Sequence, residues 1–171
     1  MKPILLALVL ITTINFAQAQ ISPVGSYDDC AAAINLTVNT TCVAGMDTYT
    51  TVGATASTQP SAGPSSDDDV WFKFTTLAGQ THAQVQIPTY AGGMGNCFEL
   101  WASCSATSYI TASCGSTFDV SGLSSATTYY VRVYTNGTFA RMTTFQICVL
   151  NTTPPPAYPN DECAFATAIC S

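Results

Sequence analysis

Asp67-Asp68-Asp69-Val70-Trp71-Phe72-Lys73-Phe74 is an acidic turn that runs directly into the most strand-like segment of the chain. Val70, Phe72 and Phe74 alternate with Trp71 and Lys73, and a period of two among β-branched and aromatic residues is the mark of a half-buried strand. Three adjacent carboxylates cannot enter a core unpaired, so the triplet is expected on a loop at the start of that strand. One end of the segment is then a core staple and the other a rim where a cation or ligand could sit.

Similar patterns recur on both sides. Residues 34–38 and 48–54 read as short strands, and 57–66 is a Ser/Pro/Gly-rich surface loop. In 82–87, Ala83, Val85 and Ile87 alternate with His82, Gln84 and Gln86. Residues 97–101 and 109–114 read as two short strands around a turn, and 118–120 leads into Gly122-Leu123. Residues 127–134 form a second strong strand, Asn136-Gly137 is a hairpin-type turn, and 142–150 closes the domain with Phe145, Ile147 and Val149 on one face and Cys148 on the other. Eight or nine short strands and no helix-period stretch predict an all-β fold, an antiparallel β-sandwich of jelly-roll or Greek-key type.

The domain organisation follows from the flanks. Residues 1–19 have the charged start, the apolar stretch and the Ala17-Gln18-Ala19 site of an export signal, too short for a membrane span. Residues 20–150 form the sandwich module, and 151–159, with Pro154-Pro155-Pro156, a semi-rigid linker. Residues 160–171 then repeat the module's opening: Asn160-Asp161-Glu162-Cys163-Ala164-Phe165-Ala166 echoes Tyr27-Asp28-Asp29-Cys30-Ala31-Ala32-Ala33. This is the expected start of a second, truncated module. Once the signal is removed, Lys73, Arg132 and Arg141 face ten acids, a net charge of −7 that argues against nucleic acid and anionic membrane surfaces as partners.

Eight cysteines in an exported chain read as disulfides. Zinc is disfavoured, because no C-x-x-C pair occurs and His82 is the single histidine. Cys104–Cys114, flanking one hairpin, is the expected pair. Cys30, Cys42, Cys97 and Cys148 then permit three pairings, of which Cys30–Cys42 with Cys97–Cys148 is favoured.

No cofactor is required by any motif. Asp67, Asp68 and Asp69 could offer hard oxygens to calcium, the alternative being a solvated acidic loop, since the D-x-D-x-D-G spacing is absent. His82 has no G-x-S-x-G elbow beside it and is expected at the surface or on an edge strand. Glu99 within a strand lacks a defined carboxylate partner for glycoside hydrolysis. Trp71 and Trp101 fit core packing. Tyr130, Arg132 and Tyr134 share one strand face. If exposed, two rings and a cation make a ligand-binding surface, and otherwise they pack in the interior.

Taken together, the Asp-Glu-Cys-x-x-Ala opening (Asp161-Glu162-Cys163, with Asp28-Asp29-Cys30), the strand 69–74, Leu100-Trp101 through Cys104, the segment 122–133 and the closing 145–149 resemble repeat modules of Bacteroidetes secreted surface proteins, which are similar to bacterial pre-peptidase C-terminal domains and occur in substrates of the type IX secretion pathway. The resemblance implies a non-catalytic sandwich attached to adhesins, proteases or glycosidases. The expected function is adhesion or glycan or matrix binding, with an extracellular glycan or surface protein as partner, in a secreted or cell-surface protein. The alternative is an accessory domain of a larger exported protease or glycosidase.

Overall fold

The computed structural model describes residues 24–43, 45–63, 68–92, 95–136 and 143–152. Ten strands form two sheets, with no α-helix among these residues. The first sheet has the order β1 (Ile34–Asn35), β4 (Val70–Thr75), β9 (Thr128–Thr135), β6 (Asn96–Trp101) and β7 (Thr111–Cys114). The second runs β2 (Val38–Asn39), β10 (Thr143–Leu150), β5 (His82–Gly92) and β8 (Thr117–Ser121), with β3 (Tyr49–Thr50) also paired to β10. The long strands pair antiparallel, as expected. The two-residue strands β1 and β2 add parallel edges to β4 and β10.

Those two edges come from one stretch. The strand expected at 34–38 is split: Ile34 pairs with Phe72 of one sheet and Val38 with Val149 of the other. Leu36, buried between them, carries the chain across the sandwich. The core between the sheets is built from alternate residues, Val70, Phe72 and Phe74 of β4, Phe98 and Leu100 of β6, and Val131 and Val133 of β9 against Val85 and Ile87 of β5 and Phe145, Ile147 and Val149 of β10. Tyr27, Tyr49, Phe72 and Phe145 meet there edge-on or tilted, ring centroids 4.9–6.3 Å apart, within the range where aromatic pairs add to simple burial.

The strand expected at 82–87 continues to Gly92, past a proline that would ordinarily end it. Gln146 faces Thr89 while Cys148 faces Gln86, so Ile87 and Pro88 together oppose one residue of β10. The extra residue makes a bulge, and the missing N–H of Pro88 then removes no ladder bond.

The disulfides are Cys30–Cys104, Cys42–Cys148 and Cys97–Cys114. Each pairing favoured from spacing is corrected. Register decides the hairpin: Cys114 stands directly opposite Cys97 on β6 and β7, while Cys104 lies in the connecting turn. The chain's crossing at Leu36 decides the rest, because it leaves Cys30 over the outer face of the first sheet and Cys42 beside β10 of the second. The expected export signal, the linker beyond Thr152 and the second-module start, with Cys163 and Cys170, lie outside the described residues.

Non-reducing peptide mapping is therefore expected to return these three bonds. Chain entropy assigns about 4–5 kcal/mol to closing the loops of 74 and 106 residues and about 3 kcal/mol to the loop of 17. Urea denaturation of paired Cys→Ala variants should show Cys97→Ala with Cys114→Ala as the mildest of the three.

Candidate functional site

The second strand face of the first sheet holds the residues singled out from sequence. Register places Trp71 opposite Arg132 and Arg132 opposite Glu99, so a row runs across β4, β9 and β6. Arg132 is 0% exposed and Tyr134 2%. Of the two alternatives for this face, an open surface of two rings and a cation or interior packing, the second holds: the face is roofed by residues 55–63 and by the turn at Cys104, which Cys30 ties down. Tyr130, half-buried, packs with Cys104 and Ala106 against Trp71 and Trp101.

A buried guanidinium persists only when it is paired and its N–H groups are used. The Nε–H of Arg132 donates to Asp69 Oδ2 at 2.8 Å, and Nη1 donates to Glu99 Oε2 and to the Gln59 carbonyl, both at 3.3 Å. Its Cζ lies 5.7 Å from the Trp71 ring centroid and 5.8 Å from that of Tyr134, positions where the ring faces attract the cation.

The two carboxylates are held alike. Asp69 accepts from the Ser57 backbone N–H at 2.8 Å, from the Ser57 hydroxyl and from Trp71 Nε1 at 3.0 Å. Glu99 accepts from the Ala62 N–H at 2.7 Å, the Ser61 hydroxyl at 2.9 Å and Trp101 Nε1 at 3.1 Å. Each acid sits two residues before a tryptophan that donates to it, and each recruits part of the 55–63 loop. This repeated acid-x-Trp spacing, Asp69-Val70-Trp71 and Glu99-Leu100-Trp101, is the sequence signal for the network.

Asp68 and Asp69 turn to separate protein partners and not to a common point. Asp69 is committed to Arg132, and buried Asp68 accepts from the Thr135 hydroxyl and N–H. Asp67 lies outside the described residues. Among the described residues no group of three or more His, Cys, Asp or Glu could hold a metal ion, so Asp68 and Asp69 do not supply the calcium alternative weighed for this rim. The two readings weighed for it, ligand or solvated loop, give way to a third in which Asp68 and Asp69 are buried structural acceptors.

His82 is buried on β5, an inner strand between β10 and β8, and not at the surface or an edge. Its Nδ1 hydrogen-bonds the Thr152 hydroxyl at 2.7 Å. Glu99 is enclosed by its four donors, so neither residue belongs to an open reactive pair. The accessible concave surface lies elsewhere, beside Tyr90 at the end of the sandwich and in a cleft of about 240 Å³ between the 35–39 crossing and Ile147. No sequence motif singles out Tyr90. An aromatic directly before Ala91-Gly92-Gly93 was the available signal for it.

Two measurements test the buried network. Arg132→Met leaves two buried carboxylates without their cation and should cost about 3–5 kcal/mol in denaturant unfolding, whereas Lys73→Met on the same face should stay within about 0.5 kcal/mol. Alkaline pH supplies the other test. Burial raises the hydroxyl pKa of Tyr134 above its usual 10, reinforced by the Glu99 charge and opposed by Ser61 and Arg132. Burial raises those of Tyr27 and Tyr49 as well. The unfolded chain loses these protons first, so their contribution is full below pH 10 and is lost as pH rises through the folded values. Stability should therefore fall above pH 10, and Tyr134→Phe should make the fall shallower.

Residues 26–147 match the model of a type IX secretion-associated family described as galactose binding domain-like. No curated protein matches. The pre-peptidase C-terminal domain of a collagenase from Bacillus anthracis is similar at 14% identity and a TM-score of 0.36, over 67% of this chain and 93% of that one. The periplasmic inhibitor of g-type lysozyme from Aeromonas hydrophila is similar at 13% identity and a TM-score of 0.35, over 68% and 98%. With the family match spanning nearly the whole described sandwich, the chain belongs to the type IX secretion-associated, galactose binding domain-like family.

Proposed function

We propose that this chain is a secreted, non-catalytic binding module that attaches a larger multi-module protein to extracellular glycan or matrix. The observation that carries the reading is the family match over residues 26–147. The burial of Glu99, Asp69 and Arg132 supports it, since the charged groups best suited to chemistry are spent inside the fold. Three disulfides fit an oxidising compartment outside the cytoplasm. The acidic balance, −6 over the whole chain, favours neutral over anionic ligands. The echo of the module's opening at 160–166 supports a module repeated along one chain, where several weak sites would raise avidity.

A glycan array probed with the exported chain tests this. Retention on neutral glycans, unaffected by EDTA, is expected. Failure to bind any glycan or matrix protein, even when several copies are displayed together, would overturn the reading.

A further inference from the structure

The two ends of the space between the sheets are finished differently. Near Leu123 and Tyr129 the inward positions are apolar and buried. At the opposite end they change character. Tyr90 pairs across the ladder with Phe145, a core residue, so its ring lies on the core side of the second sheet, yet it is 46% exposed. Asn96 has the same parity as Phe98 and Leu100, so it faces inward from the first sheet, and it is 4% exposed. Between them lies a cleft of about 290 Å³, completed by Gly95, Gly115 and Ser116.

The buried side-chain oxygen of Asn96 has no hydrogen-bond partner among the described residues. Buried acceptors are satisfied in the great majority of native proteins, and an orphan calls for a donor from outside. Among the described residues the cleft wall offers little else that is bulky. Gly95 and Gly115 have φ of +111° and +142°, and a Cβ on Gly95 would stand 3.2 Å from the Asn136 carbonyl, so this rim is kept bare by the backbone itself. No charged side chain lines the cleft among the described residues. Tyr90 also lines a second cleft of about 260 Å³, with Thr89, Thr144 and Gln146 on its wall.

We infer that this end of the sandwich is a binding subsite for a neutral sugar ring, with Tyr90 as the stacking platform and Asn96 as the acceptor for a sugar hydroxyl. The inference rests on the glycan-binding reading above and locates it. A pyranose needs an apolar ring face to lie against and polar atoms at its edge, and Tyr90 beside Asn96 and Ser116 supplies both. The volume is near the ~300 Å³ lower end of small-molecule sites, which suits one ring in the cleft and a linked ring across Tyr90. Among the described lining residues none carries a charge, so none offers a cation to a uronic acid, and the described wall suits a neutral hexose.

The test is calorimetric titration of the 171-residue chain with methyl β-galactoside, methyl β-glucoside and methyl β-glucuronide, beside the glycan array. Binding of a neutral glycoside is expected, weakened at least tenfold in Tyr90→Ala and Asn96→Ala and kept within about threefold in Tyr90→Phe, which retains the ring. Tyr90 is exposed, so Tyr90→Ala should melt close to the parent, and a melt of Asn96→Ala beside Asn96→Asp, which keeps the buried volume, separates lost binding from lost fold. Undiminished binding in both alanine variants would overturn this cleft while leaving glycan binding by the module intact. Binding of the glucuronide alone would also overturn it. No binding of any glycoside, with an empty array, would overturn the cleft and the functional reading together.

Discussion

The outer face of the first sheet depends on one buried cation. Among the described residues the cations are Lys73 and Arg132, and Arg132 is fully enclosed. Its guanidinium can remain there only because Asp69 and Glu99 stand on the flanking strands and the 55–63 loop supplies donors to both acids. Each partner is thereby constrained by the others. The loop must lie flat to reach the carboxylates, the tryptophans must turn their Nε1–H groups toward them, and Cys30–Cys104 holds the neighbouring turn against Trp71 and Trp101. The result is a second, partly polar core behind the apolar one. Replacing such a network with packed apolar groups is often no worse for stability. What it adds is a single arrangement, since a loop rich in Ser, Pro and Gly has little apolar surface of its own to dock with.

This division explains what could be read from the chain alone. The strong strands were legible at β4, β9 and β10, because period-2 alternation reports directly on which residues face an apolar interior. The sandwich class follows from them. The short strands were not legible, since Ile34–Asn35 and Val38–Asn39 look like one segment until they are seen to pair with different sheets. The disulfides failed for the same reason. Spacing measures distance along the chain, whereas Cys97 meets Cys114 through hairpin register and Cys42 meets Cys148 through the crossing. Tyr130, Arg132 and Tyr134 were placed on the correct strand face, but alternation cannot say whether a second face meets water or a folded-over loop. Aspartates in a row look solvent-seeking, and only the register beside Arg132 and Thr135 gives Asp69 and Asp68 partners indoors.

The same contrast separates the closed outer face from the open end near Tyr90. Among the described residues, the buried side-chain polar atoms of the outer face have hydrogen-bond partners, apart from one Arg132 nitrogen, Nη2. The open end near Tyr90 is built from an exposed ring, bare glycines and an unmatched amide oxygen. A scaffold of this kind can vary one end while the network behind the first sheet keeps the strands in register, which is how binding modules commonly combine rigid sheets with variable rims.

The crossing strand has a mechanical consequence. β2 runs parallel to β10, so tension applied at the two ends of the module pulls these neighbours in opposite directions along their length. Their hydrogen bonds are then loaded together in shear and do not open one at a time. Behind them stands the Cys42–Cys148 bond, which places residues 43–147 off the covalent load path. Under force, only the short lengths of chain outside that bond can pay out. A string of such modules would act as a nearly inextensible tether, transmitting a pull from one end to the other while leaving the shape of each sandwich undisturbed.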